Sequence, residues 1–314
     1  MRTTRYMPSL IISLCLILAS TFTVFPARPP VLNPIVALAE PQGSALHLVL
    51  GNPSEATDDA KNKNNFLIER SQYVVSYNSA KGVPNWASWH LDKSDIGKIP
   101  RMDAFRPDPT LPKGFNVVVP SEYTIPQGKN NKAKYDKGHL CPSKDRTDTE
   151  SNNCATFYMT NMVPQTPDLN EHLWQSLEED SQTLALSGFE LYIIAGGSGF
   201  IEQVGPVKKI AAPKWCWKII VVLPEGSNDL KRIDENTRVI AVNMPNKLGV
   251  SKDPWQKYIV TVRDIEKATK FNFLSNIPQD IQDVLETRKD SGEFTLKGKK
   301  VDPDKSIKRK PCGK

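Results

Sequence analysis

Two short polar stretches constrain this chain more than any other feature of its sequence. Residues 135–143 read YDKGHLCPS, and residues 170–178 read NEHLWQSLE. Gly138 permits a tight turn and Pro142 prevents a helix from continuing. His139 is therefore predicted to lie at the end of a strand or on a rigid loop.

The second stretch is predicted to open a helix. Leucine and tryptophan residues recur at helical spacing from Leu169 onward, and Pro167 and Asp168 supply a start signal. Residues eight apart on an α-helix differ by about 80° in direction at ~100° per residue. Asn170 and Glu178 can thus face one pocket, two turns apart, and the two stretches are interpreted as halves of one active site.

These residue types predict a particular chemistry. A neutral imidazole such as that of His139 has an ordinary pKa of about 6.5, so it can accept a proton from water. The amide oxygen of Asn170 is a hard ligand of the kind that Mg²⁺ or Mn²⁺ prefers. Glu178 is expected to hold a metal-bound water. Together they indicate a phosphodiesterase with one metal ion and a histidine base.

Three motifs carry a family resemblance. Residues 136–139, with Pro142 and Ser143 after them, resemble the Asp-Arg-Gly-His signature of the DNA/RNA non-specific endonucleases, the ββα-metal or His-Me finger nucleases. Residues 160–165 (TNMVPQ) and the helix after them are similar to the second motif of that family. Residues 101–109 are similar to its upstream arginine segment. The resemblance covers most of the chain after its first 43 residues.

The resemblance implies both a fold and an activity. The fold would be α+β, with a mixed, mainly antiparallel central sheet flanked by helices and a ββα-metal motif at the active site. The activity would be metal-dependent hydrolysis of DNA and RNA, double- and single-stranded, leaving 5′-phosphate ends. Mg²⁺ or Mn²⁺ is the expected cofactor, and a protein inhibitor is a further candidate partner.

The resemblance also assigns three more site residues. Arg101 is expected to clamp a phosphate and to oppose charge developing in the transition state; the alternative is a surface salt bridge to Asp103 or Asp108. Asp136 is expected to orient the loop or a metal-bound water. Lys137 stands where the family most often has arginine, so a bidentate fork is replaced by a point charge.

Several other polar residues receive secondary predictions. Asn161 is expected to hold the site together through backbone hydrogen bonds, with a turn-forming role as the alternative. Arg146 either neutralises substrate charge or pairs with Asp145 or Asp148. His172 should point to another helix face, and His90 should be an exposed strand residue outside the site. Gln182 occupies a position where some family members place an arginine.

The first 39 residues have the pattern of a secretory signal peptide. Arg2 and Arg5 precede an apolar run, and Ala37-Leu38-Ala39 forms an Ala-x-Ala cleavage site. We therefore expect cleavage after Ala39 and a secreted or periplasmic protein without stable membrane insertion. The alternative is an uncleaved membrane anchor, since the run approaches spanning length.

The remainder is predicted to be one endonuclease domain, residues 40–286, with a basic extension over residues 287–314. Loss of the leader removes three arginines and no acidic residue, which lowers the formal net charge from +6 to +3. Nucleic-acid binding must then come from a local groove rather than from the overall field. The extension is interpreted either as an electrostatic arm or as a solvated tail without function; a paired Cys312 would pin it down.

Four cysteines remain after the leader, which in an exported protein suggests two disulfides. The preferred pairing is Cys141 with Cys154 and Cys216 with Cys312, and the alternative is unpaired buried thiols.

Two other functions compete with the nuclease. A non-catalytic nucleic-acid-binding protein of the same fold would bind without cleaving. A secreted phosphodiesterase for small substrates would leave plasmid intact.

Overall fold

The computed structural model describes residues 41–123, 135–205, 210–296, 298–307 and 312. The predicted signal peptide lies outside these residues, so the leader and the domain boundary after it stay predictions. In the part of the chain that is described, no helix is long and apolar enough to cross a bilayer.

A six-stranded antiparallel sheet forms the centre of the fold. The strands are β1 Phe66–Glu69, β2 Val74–Asn78, β3 Val83–Leu91, β4 Asp136–His139, β5 Met162–Gln165, β6 Phe189–Ser198, β7 Glu202–Val204, β8 Ile210–Ala212, β9 Trp215–Pro224 and β10 Arg238–Pro245. The order in the sheet is β1-β2-β3-β6-β9-β10, and every neighbouring pair is antiparallel. Strands β4 with β5 and β7 with β8 form two small hairpins.

Both faces of the sheet are covered, which explains why its central strands are apolar along most of their length. Successive side chains of a strand point to opposite faces, and Ile219 and Ile220 of β9 accordingly belong to different core clusters. The helices are α1 Glu150–Ala155, α2 Gln175–Ala185, α3 Asp229–Arg232, α4 Val262–Thr269 and α5 Gln279–Thr287. The layer with β4, β5 and α2 covers one face, and α4 and α5 cover the other. The predicted α+β fold class is confirmed.

The two sequence motifs form a ββα unit. In the β4–β5 hairpin, Gly138 lies opposite Val163 and His139 opposite Met162. A π-helical turn, Leu169–Trp174, then leads directly into α2.

The predicted disulfide pairing is wrong. Cys154 is bonded to Cys312, with their Cα atoms 5.7 Å apart, whereas Cys141 and Cys216 are free and buried. Cys141 follows β4 and Cys216 lies in β9, so both side chains pack in the main core. Cys154 on α1 belongs instead to a small separate cluster with the tail. Although Cys141 and Cys154 are close in sequence, their side chains therefore lie in different clusters and cannot pair.

Candidate active site

A pocket of about 120 Å³ opens at the end of the ββα unit. Its lining includes five of the six predicted site residues, namely Arg101, Lys137, His139, Asn170 and Glu178. The sixth, Asp136, lies behind the pocket and accepts a hydrogen bond from Asn170. The structure therefore brings together the residues that the two sequence motifs singled out.

His139 is held rigidly at the end of β4. Its side chain packs edge-on against Phe157, with ring centroids 5.0 Å apart, and against Phe105 at 5.5 Å. Its carbonyl accepts a hydrogen bond from Trp174 Nε1 at 3.2 Å. Although His139 is only 7% exposed, its Nε2 has no hydrogen-bond partner among the described residues. A buried polar atom without a partner is costly, so this nitrogen is available to a group that enters the pocket.

The surroundings of His139 keep it neutral. Burial lowers the pKa of the imidazole well below its ordinary value, and the nearby Arg101 and Lys137 cations lower it further. A neutral imidazole can accept a proton, as a general base must.

Asn170 and Asp136 connect the two halves of the site. Asn170 Nδ2 donates to Asp136 Oδ2 at 3.1 Å, so the amide oxygen is the atom that Asn170 can offer to a metal ion. Asn170 lies in the π-helical turn, where the wider i→i+5 spacing gives fewer degrees per residue than an α-helix. This reduces the offset of about 80° that a regular helix would impose between Asn170 and Glu178.

Glu178 has a buried partner that sequence analysis missed. Lys218, on β9 and 1% exposed, places Nζ 3.6 Å from Glu178 Oε1 and 4.1 Å from the centroid of the Trp174 ring. Burial raises the pKa of Glu178 to about 7, and the Lys218 cation opposes that rise. The sequence signal for this partnership is a lysine within an otherwise apolar strand, since a buried lysine requires a partner of opposite charge.

Arg101 and Lys137 supply positive charge at the mouth of the pocket. Arg101 Nε donates to Asp103 at 2.5 Å and Nη1 donates to Ser143 Oγ at 3.1 Å. Arg101 therefore lines the pocket and also forms the predicted salt bridge to Asp103. The other predicted partner, Asp108, pairs with Arg70 instead. Lys137 Nζ lies 4.8 Å from the centroid of the Phe105 ring.

The pocket's oxygen donors fit a hard divalent cation. The amide oxygen of Asn170 and the carboxylate of Glu178 line the same pocket, and such ligands suit Mg²⁺ or Mn²⁺ with several retained waters. Two clusters of potential ligands lie elsewhere among the described residues, and both include His90. In these clusters three of the four acids already contact cations: Arg232 contacts Glu190 and Asp229, and Arg146 lies 3.4 Å from Asp95. The pocket that contains His139 is thus the better candidate for the metal.

The secondary predictions have mixed outcomes. Asn161 holds the site as expected, since its amide contacts both the carbonyl and the N–H of Cys141. Arg146 does not reach substrate, because it is 2% exposed and donates to the carbonyls of Gln72, His90 and Asp145. His90 is outside the pocket but buried rather than exposed.

His172 and Gln182 lie outside the pocket lining. His172 is exposed, as predicted for another face of the helix. Gln182 donates a hydrogen bond to Asp145 Oδ1 at 2.8 Å. It therefore fixes a buried aspartate near the site and adds no positive charge.

Comparisons with known proteins agree on the kind of protein. The sequence pattern of the DNA/RNA non-specific endonuclease family matches residues 51–280. A Nostoc sp. protein named "Nuclease" is 44% identical over 264 residues, which cover 83% of this chain and 93% of that protein. Human mitochondrial endonuclease G is 27% identical over 224 residues, covering 67% and 70% of the two chains.

A solved structure shares the fold. It is described as the EndoG/EndoGI complex and the mechanism of EndoG inhibition, and it matches with a TM-score of 0.60 and 20% sequence identity over 74% of this chain and 91% of that one.

Proposed function

The chain belongs to the DNA/RNA non-specific endonuclease family and is a nuclease; from that premise we propose a metal, a base and a product for its reaction. It hydrolyses phosphodiester bonds in DNA and RNA with Mg²⁺ or Mn²⁺ and leaves 5′-phosphate ends. One observation carries the proposal: a buried, unpartnered His139 Nε2 lies in the same pocket as Asn170 and Glu178. Sequence preference is weak because contacts to phosphate carry no base information.

Each residue has a distinct task in this proposal. His139 Nε2 takes a proton from the water that attacks phosphorus, while Phe105 and Phe157 fix the imidazole. Asn170 and Glu178 would hold the metal and its water. A bound Mg²⁺ or Mn²⁺ supplies positive charge to the phosphate and to the departing 3′ oxygen.

The remaining site residues position these groups and the substrate. Asp136 fixes the amide of Asn170 through its hydrogen bond. Arg101 and Lys137 attract the phosphate, and their charge disfavours protonation of His139 before the reaction.

The test compares the purified wild-type protein with His139→Ala on supercoiled plasmid and on RNA, with Mg²⁺, with Mn²⁺ and with EDTA. We expect metal-dependent cleavage of both substrates and a loss of at least about a hundredfold in kcat in the variant. His172→Ala, an exposed histidine on the neighbouring turn, is the matched control and should retain activity. Equal rates for His139→Ala and wild type would refute the base assignment, and binding without cleavage by folded wild type would refute the nuclease chemistry.

We also propose export with cleavage after Ala39, supported by the arginines, the apolar run and the Ala-x-Ala site in the first 39 residues. N-terminal sequencing of the secreted protein should begin at Glu40; a retained leader would contradict this. A protein inhibitor stays a prediction.

A further inference from the structure

The C-terminal extension crosses the surface beside the catalytic pocket. We call residues 298–307 together with Cys312 the C-terminal strap. The strap is fixed at several points: Cys312 is bonded to Cys154, and the Asp304 N–H donates to the Lys98 carbonyl at 2.8 Å. It lies beyond residue 280, where the family match ends. The conditional expectation that a paired Cys312 would pin the extension is confirmed.

The strap and the body of the protein enclose a groove of about 240 Å³. Part of its lining is aliphatic, formed by Ile96, Ile99, Leu186 and Val301. An aliphatic surface of this kind can contact the faces of bases and sugars, but it offers nothing to a free inorganic anion. The groove is therefore better suited to an amphiphilic ligand than to a small ion.

The charge of the groove favours an anionic ligand. Arg101, Lys144, Lys299 and Lys300 are its cations and Glu179 and Asp302 are its carboxylates. Lys144 Nζ and Lys300 Nζ each lie 3.2 Å from Glu179, so two ammonium groups share one carboxylate. Their side chains are 52% and 69% exposed. A positive surplus thus faces solvent along the rim.

The groove is continuous with the catalytic pocket. Arg101, Ser143 and Lys144 line both. A nucleic-acid strand whose scissile phosphate lies at His139 would therefore place its neighbouring nucleotides along this rim.

We propose that the C-terminal strap completes a nucleotide subsite for the substrate strand beside the scissile phosphate, an inference that rests on the proposed nuclease function. Lys144, Lys299 and Lys300 bind backbone phosphate, and the aliphatic part of the lining receives a base or sugar. Substrates long enough to reach the groove gain affinity from the strap, whereas minimal substrates do not. The subsite adds binding without altering the chemical step.

The test is a length-dependent kinetic comparison. Lys299→Ala/Lys300→Ala and wild type are assayed on a 20-nucleotide single strand and on a dinucleotide. At low salt we expect KM for the 20-mer to rise roughly three- to tenfold, with kcat unchanged and dinucleotide kinetics unaffected. The slope of log KM against log salt for the 20-mer should become shallower by about 0.7 for each phosphate that the variant no longer binds. The double variant Lys289→Ala/Lys305→Ala removes the same charge from exposed positions outside the groove and should resemble wild type.

Two further variants sharpen the result. Glu179→Gln removes the carboxylate that the two lysines share, so KM for the 20-mer should fall. Cys154→Ser/Cys312→Ser releases the anchor and should raise that KM without abolishing dinucleotide cleavage.

The outcomes separate the two proposals. Wild-type protein that cleaves neither substrate refutes the proposed function. An unchanged KM in folded Lys299→Ala/Lys300→Ala, or an equal change for both substrate lengths, overturns the subsite while the nuclease function stands.

Discussion

The ion pair between Lys218 and Glu178 places a buried cation beside a carboxylate of the candidate site. Glu178 is 12% exposed and Lys218 1% exposed at their side chains, so neither charge is well solvated. An unpaired buried charge is destabilising by several kcal/mol. Gln182 stands where some family members have an arginine and supplies no charge. In this protein, Lys218 on strand β9 provides a cation beside Glu178.

We predict that Lys218→Met lowers kcat by roughly ten- to a hundredfold with a smaller effect on KM, as removal of a residue that supports an active-site ligand commonly does. In a Glu178→Gln background the same substitution should have a much smaller effect on kcat, because a neutral amide needs no cation beside it. It should also raise the free energy of unfolding relative to Glu178→Gln alone, because it removes a buried cation that has lost its carboxylate partner. A double-mutant cycle measures this coupling. Independent, additive effects would show that Lys218 acts through packing alone.

At the residue scale, sequence reasoning found the groups that lie within the motifs and missed those contributed by distant elements. His139, Asn170 and Glu178 meet because short motifs on adjacent elements place them together. Lys218 comes from a strand forty residues farther along, and no local spacing reveals that partnership. For Arg146 the sequence left two roles open, and the structure excludes the substrate contact because carbonyl groups of three residues bind its guanidinium inside the protein.

Among the elements, the β4–β5 hairpin depends on the absence of a side chain at Gly138. A Cβ at this position would lie 2.0 Å from Gln165 Oε1 and 2.7 Å from its Cγ. Gln165 is fully buried, so it cannot swing into solvent. The glycine that the sequence suggested for turn flexibility is thus required for close packing between two strands.

Gly138→Ala should therefore lower the free energy of unfolding by about 1–3 kcal/mol, the usual cost of overpacking, and reduce kcat by displacing His139. Because the three atoms nearest to the added Cβ all belong to Gln165, Gly138→Ala/Gln165→Ala should be less destabilised than the sum of the two single variants. Chemical denaturation of the three variants measures the coupling. Strict additivity would place the strain elsewhere in the hairpin.

The π-helical turn before α2 could not be predicted from the sequence. Its leucines fit ordinary helical spacing, which predicted the helix itself correctly. The widened turn depends on how Leu169, Leu173 and Trp174 fill the core together, a tertiary constraint that overrides local periodicity. The π-helical turn reduces the angle around the helix axis between the side chains of Asn170 and Glu178, so that both face the same pocket.

Over the whole molecule, the antiparallel sheet and the ββα unit were predicted from the family motifs, through the fold that the resemblance implies. The disulfide did not, because pairing depends on which surfaces meet: α1 meets the end of the chain, across 158 residues of sequence. A long separation of this kind leaves no local signal. The same limitation applies to the groove beside the active site, which exists only where the strap crosses the body.

The last prediction concerns global stability and pH, through a carboxyl group on α5. Glu286 is fully buried, and burial raises its pKa to about 7. A carboxyl whose pKa is raised on folding stabilises the native state below its unfolded pKa of about 4.5, and this contribution is lost as pH rises through the folded pKa. The contribution of Glu286 to the stability of the wild type should therefore decline between pH 5.5 and pH 8.5.

Glu286→Gln resembles the protonated acid, so it should reduce that decline and make the protein more stable than wild type at pH 8.5. Arg263 retains Glu266 and Asp283 as partners in this variant, which limits the cost of removing the carboxylate. Thermal unfolding of both proteins across the pH range provides the measurement, and cleavage assays should show unchanged activity because α5 covers the opposite face of the sheet from α2. Parallel curves for the two proteins would mean that Glu286 does not titrate in this range.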